Sequence, residues 1–117
     1  KIADSGSRLF ITTDHGTINV SVPSKVVGDR ETSSNLRYKS GKRLQYQVKD
    51  VMVMENPEEF FLPAANLTSS FIFAKENLYL TYPNNYNHFV KYFRDTYQHG
   101  GISMEEMICP FVRLSPK

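Results

Sequence analysis

The sequence predicts a mixed α/β chain, and three observations predict it. Leu9-Phe10-Ile11 and the alternating Ile18, Val20 and Val22 have the patterning of short strands. Tyr86, Phe89, Val90, Phe93 and Tyr97 fall three and four apart, the spacing of one helix face. Ser103-Met104-Glu105-Glu106 is a capping box, the start of a second helix. With 117 residues, 40% apolar and 22% charged, the composition is that of one globular domain or a piece of a larger one.

In chain order, residues 8–13 read as a strand whose Leu9, Phe10 and Ile11 make the kind of apolar run buried on both faces of a sheet. Asp14-His15-Gly16 is the turn after it. A half-exposed strand spans residues 17–22, and Pro23 ends it. Residues 28–43 are rich in Gly, Asp, Ser and Asn and read as a loop. Residues 44–48 and 51–54 read as short strands, or as a strand plus an extended segment. Pro57-Glu58-Glu59 opens a short helix, with proline at its first position and acids near the positive end of its dipole, and Pro63 stops it. Residues 70–74 and 78–82 read as a β-hairpin around Lys75-Glu76-Asn77. The best-defined element is a long helix over residues 86–98, capped by Asn84 or Asn85 and ended at Gly100. The Ser103 helix is stopped by Pro110, and residues 111–114 form a last strand.

A single cysteine, Cys109, excludes an internal disulfide framework and fits a reducing compartment, so a cytoplasmic protein is expected. No apolar run is long enough to span a bilayer. The net charge of +2 gives no global argument for nucleic acid or membrane. The sequence opens on Lys1 and reaches a strand within a few residues, and it reads as the C-terminal piece of something longer.

The candidate site centres on Asp14 and His15. Open α/β sheets place their ligand sites at the C-terminal ends of strands. A carboxylate and a neutral imidazole are both good zinc ligands, and Gly16 lets the backbone turn sharply after them. His99, ahead of Gly100 and Gly101, has the same local logic. Each placement is also a sound turn with no metal at all: Asp and Gly favour turns, and a histidine at a helix C-terminus complements the dipole. A single catalytic zinc would need all three side chains on one ion. Arg37, Lys39, Lys42 and Arg43, with Tyr38 and Tyr46 nearby, read either as a solvated loop or as a phosphate-binding cluster. Capping accounts for Glu106 without chemistry, Cys109 reads as a buried thiol, and His88 lies off the apolar stripe.

"FITTDHGTINVSVPSKVVGDRETSSNLRYKSGKRL" followed by "LTYPNNYNHFVKYFRDTYQHGGISMEEMICPFVRLSP" resembles the C-terminal part of a PglZ domain, of the alkaline phosphatase superfamily, over essentially the whole chain. It is most similar to the PglZ domain that follows the receiver region in PorX-like response regulators of bacterial type IX secretion. The resemblance implies an α/β fold forming the C-terminal portion of an alkaline-phosphatase-like domain, and a zinc-dependent phosphodiesterase or phosphatase. It carries over at three positions: Asp14 and His15 would bind one zinc ion and His99 the other. Phosphate esters, nucleotide-type diesters among them, are the implied substrates. The superfamily's nucleophile and remaining ligands lie upstream of this pattern, and Thr12, Thr13 and Thr17 do not match the nucleophile. The chain, residues 1–117, is therefore expected to be inactive alone. Its expected partners are the upstream part of the same domain, a second copy through dimerisation or swapping, and proteins that regulate secretion. The alternative is a non-catalytic regulatory or dimerisation module. Nucleic-acid binding through residues 37–43 is a third reading, marked by a steep salt dependence.

Overall fold

The computed structural model describes residues 3–62 and 69–116, so the expected stop at Pro63 lies outside the described residues. Mixed α/β structure is what they show: nine short strands, two short α-helices and three single turns of 3-10 helix.

The centre is a three-stranded antiparallel sheet in which β6 (Ser70–Ala74) lies between β4 (Tyr38–Gly41) and β5 (Val51–Met54). With both edges of β6 covered, Phe71, Ile72, Phe73 and Ala74 are all buried. Ile72 and Ala74 pack with Val26, Val51 and Leu80 in one cluster, while Phe71 and Phe73 join Met54 in a second, with Tyr38, Leu62 and Ile102 against it. Strand β7 (Leu78–Thr81) runs parallel to β3 (Val22–Lys25). Pro23 thus sits inside a strand instead of ending one. The position is tolerated because β3 has one partner only, so the N–H that proline lacks leaves no ladder bond unmade.

The 17–22 strand is divided into β2 (Ile18–Val20) and the start of β3. The expected loop at 28–43 contains β4, whose partner Phe73 side secures residues that carry little strand signal of their own. In place of an extended 44–48 segment there is one bridge, Gln45 to Val27, and a 3-10 turn at Val48–Asp50.

The strands at 70–74 and 78–82 form, but not as a hairpin. After the Lys75–Asn77 connection β7 leaves for the β3 pair while β6 stays in the central sheet. Arg37 explains the divergence. Its guanidinium donates to the carbonyls of Ala74 (3.2 Å) and Leu78, the two ends of that connection. Its backbone carbonyl accepts the Ala74 N–H at 2.8 Å, and the neighbouring Leu36 carbonyl accepts the Leu80 N–H at 2.7 Å. A segment between the two strands therefore takes the bonds a hairpin would have made across the turn.

The long helix over residues 86–98 is also corrected. Helix α1 covers Tyr86–Phe93 and stops at Arg94, which is extended. Asp95 takes a left-handed conformation (φ 60°) and donates its N–H to the Val20 carbonyl at 2.7 Å. Thr96–Gln98 then forms β8, antiparallel to β2. A β-branched and an aromatic residue, Thr96 and Tyr97, favour that sheet bond over a further helical turn. Asn85 makes no side-chain cap. The helix is held instead by Tyr79, whose hydroxyl donates to the Val90 carbonyl at 2.7 Å. The short helix α2 (Met104–Met107) forms where the capping box places it.

Strand β1 (Leu9–Thr12) pairs only with β9 (Phe111–Leu114), as a two-stranded ribbon. The expectation of burial on both faces does not hold within this chain: Phe10 is 53%, Ile11 50% and Phe111 70% exposed. The radius of gyration is 18.3 Å, against about 13 Å for a compact domain of this length. The ribbon lacks cover, and the whole is elongated.

Replacing Arg37 by Met leaves the Glu106 carboxylate and two carbonyls without their buried donor. Urea denaturation is expected to show a loss of about 3–5 kcal/mol, whereas an exposed control such as Arg30→Met should change stability by less than about 0.5 kcal/mol.

Candidate functional site

Strand β1 ends at Thr12, and the chain bends at Asp14 and His15 before β2 begins. A carbonyl can only accept, so the 2.9 Å contact between His15 Nδ1 and the Gly16 carbonyl puts the ring proton on Nδ1. This leaves a lone pair on Nε2, which lies 3.6 Å from Asp14 Oδ1. Donors around a tetrahedral ion with bonds of about 2.0–2.1 Å stand roughly 3.4 Å apart. Asp14 and His15 therefore fit one cation between them, and a backbone carbonyl on the far ring nitrogen is the usual second partner of a metal-binding histidine. Asp14 is open to solvent on its other sides.

His99 comes to the same place from the far end of the chain. Its ring stacks on that of His15, with centroids 4.0 Å apart and planes 14° from parallel. A metal lies close to the plane of the imidazole that binds it. Two nearly parallel planes have no common point within bonding distance, so one ion does not take both rings. Among the described residues no three His, Cys, Asp or Glu side chains converge on a single ion. What the chain presents is a two-donor corner with a second imidazole alongside.

Glu106 holds both halves of this arrangement. Its carbonyl accepts the Gly16 N–H at 2.9 Å, next to His15. Its carboxylate accepts the N–H of Gly101 (2.9 Å), two residues past His99, and reaches back to the N–H of Ser103 (3.3 Å). Arg37 grips the same carboxylate bidentately, Nε to Oε1 at 2.9 Å and Nη2 to Oε2 at 3.1 Å, and both side chains are fully buried. Burial alone would raise the Glu106 carboxyl, but the hydrogen bonds and charge of Arg37, with those of Ser103 and Gly101, hold it below its ordinary value of 4.5. Asn35 adds a bond from its amide to the His99 carbonyl, 3.3 Å. The glycines are required by this closeness: a Cβ on Gly16 would lie 1.9 Å from the Glu105 carbonyl oxygen, and one on Gly101 2.4 Å from Glu106 Oε2.

Residues 1–114 match the family model for PglZ, described as the BREX system PglZ alkaline phosphatase-like domain. The chain belongs to the PglZ family. Its alkaline phosphatase-like character makes it a phosphohydrolase-type domain, of a superfamily that generally uses metal ions. No curated protein matches the sequence. No helix among the described residues is long and apolar enough to cross a membrane.

This PglZ chain brings Asp14, His15 and His99 within one small region; His88 stays exposed on α1 and Cys109 is half-buried, not buried. The basic cluster divides. Arg37 and Lys39 are buried, so neither the solvated loop nor a nucleic-acid backbone accounts for them, and only Arg43 of the four is well exposed. Both readings missed the Arg37–Glu106 pair. The signal was present in the spacing, since residues 37 and 39 fall on one face of an extended segment, but nothing local marked that face as inward.

Gly16→Ala is expected to lower stability by about 1–3 kcal/mol and to separate the two imidazole rings, read as changed His15 and His99 ring proton shifts. Glu106, with its lowered carboxyl, contributes stability that is fully present above about pH 4.5 and lost as the pH falls through the folded value. The melting temperature of Glu106→Gln should therefore lie below that of the parent at pH 6, and the gap should narrow as the pH drops below 4.5.

Proposed function

We propose that this chain supplies metal ligands to the active site of a phosphoric ester hydrolase domain completed by polypeptide that precedes it. The observation that carries the reading is the Asp14–His15 bend with His99 stacked 4.0 Å from His15. Asp14 and His15 hold one ion and His99 helps to hold a second. Zinc suits this nitrogen and oxygen donor set, although such donors do not select it strictly. Paired ions, about 4 Å apart, stabilise the attacking and leaving oxygens of an in-line displacement at phosphorus. The contribution of this chain is orientation: the Gly16 carbonyl fixes the His15 tautomer, and Glu106 with Arg37 keeps the two imidazoles in register. The nucleophile and the other ligands are not among its residues, so the chain alone is inactive. Diesters, including nucleotide-type ones, are the substrates we favour. A response regulator of the PorX-like kind, cytoplasmic and acting with secretion proteins, is the parent we favour from the resemblance of residues 10–44 and 80–116.

The uncovered ribbon favours a second reading, a regulatory or dimerisation module. Exposed Phe10, Ile11, Phe111, Val112 and Leu114 are poor solvent-facing residues for a strand pair. In the hydrolase reading the preceding polypeptide covers them; in the module reading a second copy does.

Zinc-dependent hydrolysis of bis(p-nitrophenyl) phosphate by the longer protein separates the two. Asp14→Ala and His99→Ala should each cut the rate below about one-hundredth with the circular dichroism unchanged. A folded, zinc-loaded protein that shows no hydrolysis and sediments as a dimer would establish the module instead.

A further inference from the structure

A cavity of about 420 Å³ opens beside His99, between β4, the end of β7, helix α1 and the Gln98–His99 segment. Its walls are apolar and aromatic, with Leu36, Leu80, Phe89 and Phe93 among them. Polar residues line it as well, Asn35, Gln98 and His99 among them, and two of the polar groups stand out. Lys39 is only 1% exposed, and its ammonium rests over the Tyr82 ring, 4.3 Å from the centroid. Among the described residues no carboxylate or hydrogen-bond acceptor meets it. Thr81 is 2% exposed, and among the described residues its Oγ1 has no hydrogen-bond partner.

Neither feature is explained by folding. Burying an ammonium without a counter-charge is costly, and an aromatic face offsets only part of that cost. Burial pushes Lys39 down to about 8, so at neutral pH it remains cationic in an interior that gives it no anion. Buried polar atoms without partners are rare in native proteins, and those that occur often mark a ligand. Here Lys39 and Thr81, both nearly buried as residues, line one cavity.

We propose that this cavity is a binding site for an aromatic oxyanion, with the anionic oxygens received by Lys39 Nζ and Thr81 Oγ1 and the ring laid against Phe89, Phe93 and Leu80. An ammonium and a hydroxyl both donate, so the head group must accept. The aromatic and aliphatic side chains of the wall favour a ring attached to it. Carboxylate and phosphate head groups share this chemistry. Because His99 borders the cavity, the site would, if the hydrolase reading holds, receive the organic part of an ester whose phosphorus sits at the metals. The site itself needs no metal, so its test does not depend on that reading.

The 117-residue chain, in buffer containing EDTA, is titrated with phenyl phosphate, benzoate, inorganic phosphate and benzyl alcohol while amide shifts are followed by NMR. At least one aryl oxyanion is expected to give saturable shifts at Lys39, Thr81 and Phe93, and the better of the two identifies the head group. Inorganic phosphate and benzyl alcohol, each carrying half of the recognition, should bind at least about tenfold more weakly. Lys39→Met keeps the stem volume and should weaken the aryl oxyanion by about tenfold or more, while raising the melting temperature of the free chain because an uncompensated buried charge is gone. Thr81→Val should weaken binding by a smaller factor. Absence of saturable shifts with both aryl oxyanions overturns the proposal, as does binding that survives Lys39→Met. A melting temperature lowered by Lys39→Met, with unchanged ligand affinity, would make Lys39 a structural residue.

Discussion

The buried pair between Arg37 and Glu106 is the constraint on which the remaining architecture depends. A guanidinium and a carboxylate withdrawn fully from water lose hydration that their attraction barely offsets. What makes the pair viable is complete satisfaction: Arg37 also donates to the carbonyls of Ala74 and Leu78, and Glu106 also accepts from Gly101 and Ser103. Those four groups belong to two junctions, the β6–β7 connection and the segment between β8 and α2. Any alternative packing that separates them leaves a charge stranded in the interior. The pair therefore selects one arrangement of the segments around residues 37, 76 and 103, and only one of the arrangements that apolar burial alone would permit.

That selection reaches the candidate metal ligands through backbone, not side chains. The rings of His15 and His99 are stacked, and Glu106 of α2 touches the residue after the first and the second residue after the other. Close backbone approach at Gly16 and Gly101 leaves no room for slack between them. This chain of the PglZ family thus places its two imidazoles by a hydrogen-bonded joint behind them.

Much of the strand and helix content was legible because it is written locally. The apolar run of residues 71–74, the capping box at Ser103 and the bend at Asp14–Gly16 are each decided by neighbours in sequence, and each appears. What was not legible is decided at a distance. The helical stripe of residues 86–97 continues in sequence past the point where Asp95 is claimed by Val20, and Tyr97 consequently faces solvent. The strand pair around Lys75–Asn77 has hairpin chemistry, yet Arg37 occupies the bonds that would close it. Lys39 reads as a surface charge because no local pattern shows that Tyr82 and α1 will cover it. The family likeness was legible in the two His-bearing stretches.

The ribbon that joins Leu9 to Leu114 has a kinetic consequence. Strands so far apart in sequence meet only after a very long loop has closed, and the parallel β3–β7 pair imposes a similar delay. Non-local pairing of this kind slows folding because the entropy of closure comes before any contact rewards it. The central β4–β6–β5 sheet, made from nearer segments, has no such wait. β1 is then the last strand to settle and, with water on both faces, the first to fray. The Asp-His corner begins two residues beyond its end, so the chain acquires that corner late in folding and gives it up early in unfolding.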